Sequence, residues 1–165
     1  MSKTFKYGII GAGSMGREHI RNVNIIDEAE IVALSDPHDE SINQSLSLLN
    51  KKVPCFTNYN EMIQADLVDG YIISTPNFTH IDVLKDVIKT KKHILVEKPL
   101  CTTIKDCIEF RDLTKNYPPH SNGDKGIFHG LNRRFRGTAF NSIHTWVENH
   151  TQIDEQQQHA THITQ

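Results

Sequence analysis

Apolar positions alternate between two patterns along the first two thirds of this chain. Short continuous runs occur at 5–10, 30–36, 70–75, 93–96 and 127–131, with a weaker one at 54–57. Runs of this length predict strands buried on both faces. Between them the apolar residues recur every three or four positions, which predicts helices over 14–27, 39–50, 59–65 and 79–90. Met15, Ile20 and Val23 would share a face of the first helix. Ile42, Leu46 and Leu49 would do so in the second, and Ile81, Leu84 and Ile88 in the fourth. Thr103 and Asp106 form a variant capping box for a further helix carrying Ile104, Cys107 and Ile108. Residues 117–126 are rich in Pro, Asn and Gly and read as a loop. Six strands alternating with helices predict an α/β fold, a doubly wound parallel sheet of the Rossmann kind.

Right-handed crossovers bring all strand C-terminal ends to one edge of such a sheet, where open α/β folds bind ligands. That edge collects Gly11 to Gly16, Asp36, Thr75 to Asn77, Glu97 to Pro99 and Asn132. The turn after the first strand has the spacing Gly11-x-Gly13-x-x-Gly16, the dinucleotide fingerprint. In that reading Gly11 permits the tight turn, Gly13 lets a pyrophosphate approach the backbone, and Gly16 lets helix and strand pack closely. Ser14 and Met15 open the helix, whose N–H groups and dipole would face the phosphates. Each such charge–dipole contribution is about 0.3–1 kcal/mol, so several contacts must act together. Asp36 closes the second strand, where a carboxylate can accept the adenosine ribose hydroxyls and repel a 2′-phosphate. The following Pro37, His38 and Asp39 bring no Arg or Lys, so NAD is expected in preference to NADP.

Charge and composition narrow the classes of function. Of 165 residues, 37% are hydrophobic and 23% charged, enough for a packed core, and the formal net charge of −2 gives no field for nucleic acid. No apolar run reaches the length of a membrane span. Three cysteines (Cys55, Cys101 and Cys107) lack metal-ligand spacing and fit reduced thiols in a cytoplasmic protein. No metal is expected.

Three further motifs, TPNFTH (75–80), HILVEKPL (93–100) and GLNRRF (130–135), follow the glycine turn in order. Together they make residues 5–136 resemble the glucose–fructose oxidoreductase/inositol dehydrogenase/rhizopine-catabolism family of NAD(P)-dependent oxidoreductases. The resemblance implies a hydride transfer between NAD and a sugar or polyol hydroxyl. It makes Lys98 the catalytic residue, taking part in proton transfer with the substrate hydroxyl. It places Glu97 near the nicotinamide ribose and a cis peptide before Pro99. It lines the cofactor with Thr75, Pro76, Asn77 and His80, and sets Asn132 and Arg133 at the edge of the substrate cleft. His80 has a second reading, as a residue that caps or packs a helix start. Lys98 could also be a surface lysine after a strand.

Beyond Arg136 the pattern changes. Phe140, Ile143 and Val147, with Trp146 beside them, predict an extra helix over 137–150. The stretch 151–165 is polar and expected to be disordered. The family's larger second domain, the substrate domain, is expected to be absent, and Arg136-Gly137 stand where the family has Asp-Pro. Three readings remain open: an oxidoreductase by lineage with impaired activity, a non-catalytic nucleotide-binding module, or half of a split enzyme. The helix around Trp146 is a candidate surface for a partner chain.

Overall fold

A computed structural model of the chain describes residues 4–114 and 129–130. The elements run β1 (Phe5–Ile10), α1 (Ser14–Val23), β2 (Ala29–Ser35), α2 (Asp39–Leu46), β3 (Cys55–Phe56) and α3 (Tyr59–Ala65). Then follow β4 (Gly70–Ile73), α4 (His80–Val87), β5 (His93–Val96), α5 (Ile104–Thr114) and β6 (His129–Gly130). The strands form one parallel sheet in the order β3-β2-β1-β4-β5-β6. This is the Rossmann order, with its reversal between β1 and β4.

Strand alternation explains the two-sided core. Ile9 and Ile72 turn to one face and pack with Ile20 and Val23 of α1 and Ile42 of α2. Their neighbours Ile10 and Ile73 turn to the other face, against Met62 of α3 and Leu84 and Val87 of α4. Both faces are therefore covered, as continuous apolar strands require.

Two expected helical stripes are corrected. Met15 is 43% exposed, and the buried face of α1 is Gly16, His19, Ile20 and Val23. In the first turn it is Gly16, one residue on, that faces β1, where a Cβ would meet Ile9 and the Gly11 carbonyl, and Met15 is left exposed. In α5 the buried residue is Phe110, while Ile104 and Ile108 are exposed. The helix is tied to α4 on its other side, with Lys85 Nζ 2.8 Å from Glu109 Oε1. The capping at Thr103 is present in part: its Oγ1 accepts the Asp106 N–H at 3.1 Å.

Several elements are shorter than expected because polar caps intervene. Helix α1 ends at Val23, where Asn24 caps the backbone and its Nδ2 donates to the Leu48 carbonyl at 2.8 Å. Helix α2 stops at Leu46 and continues in single i→i+3 turns through Leu49. Helix α4 starts at His80 because Asn77–Thr79 forms a 3-10 turn behind Pro76. The extra helix, the polar tail, Asn132 and Arg133 lie outside the described residues. No helix among the described residues is long and apolar enough to cross a membrane.

Candidate functional site

The glycine turn is held by its own backbone and by three neighbouring elements. Gly11 has φ +94°, and a Cβ there would sit 2.6 Å from the Ser74 and Thr75 backbone. Only glycine tolerates both conditions. The Gly11 N–H donates to the Ser35 carbonyl at 2.8 Å, and Ser74 Oγ donates to the Gly11 carbonyl at 2.7 Å. The next carbonyl, of Ala12, accepts from Ser45 Oγ at 2.8 Å and Arg17 Nη1 at 3.3 Å. The Ala12 N–H donates to Asp36 Oδ2 at 2.9 Å. A Cβ on Gly16 would lie 2.2 Å from the Gly11 carbonyl oxygen, so α1 can approach β1 only through a glycine.

Gly13 differs from both. A Cβ added there meets nothing within 4 Å, so the backbone is open to the outside. Gly13 is also the N-cap of α1, with no side-chain cap. The first-turn N–H groups, with exposed Ser14 and Met15 beside them, thus lack a side-chain acceptor and carry the positive end of the dipole. A cleft of about 580 Å³ opens here, lined by Gly13, Ser14, Arg17, Pro37, His38 and Gln44 among others. An open glycine, an uncapped helix start and a cleft of this size are the features a dinucleotide phosphate requires, so the residues fit that group.

Asp36 is buried at the end of β2. Its Oδ1 accepts the His38 N–H at 2.9 Å, and its Oδ2 is the oxygen bonded to Ala12. Each carboxylate oxygen offers two acceptor positions, so one on each remains for a ligand.

The second half of the edge is built by the loops after β4 and β5. Thr75 is half-buried, and Pro76 and Asn77 are exposed. Thr79 Oγ1 donates to the Pro76 carbonyl at 2.7 Å and lies 2.9 Å from Thr75 Oγ1. The Lys98–Pro99 peptide is cis, Lys98 is exposed, and Glu97 is buried. His80 is 1% exposed, with Nδ1 2.9 Å from the Pro99 carbonyl and Nε2 3.0 Å from the Thr75 carbonyl. It joins the two loops from within the fold. Both contacts are satisfied together only when both ring nitrogens carry a proton. Cys101, just beyond, has its thiol pushed up to about 12 by burial and then by Cys107, and so stays protonated. No cluster of metal-ligating side chains occurs among the described residues.

This geometry agrees with what the chain is similar to. Residues 5–118 match the Gfo/Idh/MocA family, described as an oxidoreductase family with an NAD-binding Rossmann fold. The chain belongs to this oxidoreductase family through its NAD-binding Rossmann domain. Among Gfo/Idh/MocA relatives, the rhizopine catabolism protein MocA of Rhizobium meliloti is 34% identical over 116 residues, 70% of this chain and 36% of the relative. Myo-inositol 2-dehydrogenase of Thermotoga maritima is 30% identical over 146 residues, 88% of this chain and 41% of the relative. A solved structure of myo-inositol dehydrogenase from Lactobacillus casei with NAD(H) and myo-inositol superposes with a TM-score of 0.63 at 28% identity. It covers 67% of this chain and 33% of that one. This chain therefore spans about two fifths or less of the family members it matches here.

Five site residues escaped the sequence reading: Arg17, His19, His38, Ser45 and Ser74. His19 and Ser45 carried a legible signal, since each is a polar residue at the buried position of an apolar helical stripe. Such a residue needs a partner. His19 finds one in Glu97, with Nε2 2.9 Å from Oε1. Arg17, His38 and Ser74 gave no periodic signal, because each meets the site through backbone contacts or by lining the cleft.

Proposed function

We propose that this chain binds NAD(H) along the C-terminal edge of its sheet and provides the proton-transfer residue of a sugar or polyol dehydrogenase. The observation that carries the reading is the open face of Gly13 above the uncapped start of α1, in a chain that belongs to an NAD-binding oxidoreductase family. Gly13, Ser14 and Met15 hold the pyrophosphate through backbone N–H groups, while Gly11, whose N–H is given to the Ser35 carbonyl, and Gly16 shape the turn that presents them. Asp36 accepts the adenosine ribose hydroxyls and disfavours a 2′-phosphate, which selects NAD over NADP. Thr75, Pro76 and Asn77 line the nicotinamide half, Glu97 lies beside its ribose, and His80 keeps those loops in place from behind. Asn132 belongs to the same edge by its motif.

When bound, the dinucleotide supplies the hydride acceptor for the carbinol carbon. The chain's own part is to hold it, keep its reactive end oriented and move one proton. As a neutral amine Lys98 takes the hydroxyl proton; as an ammonium it returns it in the reverse direction. Sugars and polyols are proposed as substrates because inositol dehydrogenases recur among the relatives. The free cysteines support a reducing, cytoplasmic setting.

The test is to titrate the purified chain with NADH, then add NAD with a panel of polyols and sugars and follow formation of reduced cofactor. Turnover that falls by about 10²–10⁴ in Lys98→Ala, with NADH binding kept, supports the reading. Binding without turnover supports a nucleotide-binding module or half of a split enzyme. Absence of binding overturns the cofactor site.

A further inference from the structure

The His19–Glu97 pair is built in a way that core packing alone does not require. His19 lies on α1, three residues after the last glycine of the turn, and Glu97 lies just past β5, 78 residues later. Both side chains are under a tenth exposed. Burying a carboxylate is costly unless it is hydrogen-bonded, and an apolar pair of similar volume often packs as well or better. Each oxygen of the carboxylate nonetheless has a partner. Oε1 faces His19 Nε2 at 2.9 Å, and Oε2 accepts the N–H of Lys98 at 3.1 Å. The Glu97 backbone N–H donates to the Ile73 carbonyl at 2.9 Å, which anchors the residue to β4.

An ionised carboxylate only accepts, and opposite one His19 donates from Nε2. The result is a continuous connection: glycine turn, α1, His19, Glu97 carboxylate, Lys98 backbone. It runs beneath the edge, from the phosphate end of the site to its reactive end.

We propose that His19 is a positioning residue, which fixes the Glu97 carboxylate and through it the Lys98 backbone against the nicotinamide half of the bound dinucleotide. This rests on the NAD-site reading above. Without the His19 donor the Glu97 carboxylate has one free oxygen inside the fold. It turns toward water, and the Lys98 N–H loses its acceptor. The adenine half of the site touches none of these groups.

The experiment compares two ligands on the whole chain. ADP has the adenosine and pyrophosphate but lacks the second ribose and the nicotinamide ring; NADH has all of them. In His19→Leu, ADP affinity should stay within about twofold while NADH affinity falls by roughly tenfold. His19→Gln, which restores an N–H donor, should recover most of the NADH affinity. If the leucine variant fails to fold, His19→Asn, whose amide is too short to reach Glu97, should show the same split. In the ligand-free chain the Lys98 amide resonance should move in His19→Leu and return in His19→Gln, with the Gly13 resonance unmoved. Equal loss of both ligands, or no loss of NADH, overturns the role of His19. A wild-type chain that binds neither ligand overturns the cofactor reading itself, and the proposal with it.

Discussion

Asp36 reaches back across the sheet edge to Ala12: its Oδ2 accepts the Ala12 N–H at 2.9 Å. The residue expected to recognise a ribose is therefore also the one that clamps the glycine turn to the end of β2. In Asp36→Ala the Ala12 N–H is left buried without an acceptor, at a cost of about 1–3 kcal/mol. Chemical denaturation should show that loss, and titration should show the preference for NADH over NADPH narrowing or reversing. Unchanged stability would contradict the clamp. An unchanged preference would contradict the part assigned to Asp36 in cofactor choice.

The three glycines should separate folding from binding. Gly16→Ala places a methyl 2.2 Å from a backbone oxygen that cannot move aside. It should destabilise the chain by at least about 2–3 kcal/mol. Gly13→Ala places its methyl in open space, at φ −70°, and should alter stability by less than about 1 kcal/mol. The same methyl occupies the face assigned to the pyrophosphate, so NADH affinity should fall by roughly tenfold or more. Thermal melts and NADH titrations of the two variants check both halves.

Much of this arrangement was legible in the sequence. The strand runs at 5–10 and 93–96 and the helix at 59–65 coincide with β1, β5 and α3, because their ends are marked by glycine, charge or capping residues. Gly11, Gly16 and the cis peptide before Pro99 stand as the motifs implied. The faces of Met15, Ile104 and Ile108 were not legible. Helical spacing says which residues share a side, whereas burial depends on what lies opposite, and Met15 in α1 and Ile104 and Ile108 in α5 stay exposed. The links through Ser45, Ser74 and His19 join residues far apart in sequence and emerge only once the sheet order is known.

Tyr71 is fully buried in β4, and among the described residues its hydroxyl has no hydrogen-bond partner. Burial, and then the Asp66 carboxylate, push its phenol from the ordinary 10.0 up to about 12. The folded chain thus holds this proton to higher pH than the unfolded chain, and stability falls as pH rises from 10.0 toward about 12. Tyr71→Phe should remove this part of the alkaline loss and raise stability at neutral pH by about 1 kcal/mol. Urea denaturation across that pH range measures both effects. A variant that is less stable at neutral pH would show that the hydroxyl has a partner.

His80 bonds two carbonyls that belong to different loops, and no apolar side chain can replace it in that role. His80→Leu removes the ring that joins the Thr75 and Pro99 carbonyls. A loss of about 1–3 kcal/mol follows, since the ring donates to at least one of these carbonyls. Because the loops carry Asn77 and Lys98, hydrogen exchange should quicken at both, while the glycine turn keeps its protection. Unchanged exchange at the two loops would contradict the joining role.

The most direct test of the account is a calorimetric titration of the wild-type chain with NADH and, separately, with NADPH. The account predicts saturable binding at one site, with NADH the tighter ligand. No saturable binding would contradict the cofactor site at the C-terminal edge of the sheet, and tighter binding of NADPH would contradict its selection by Asp36.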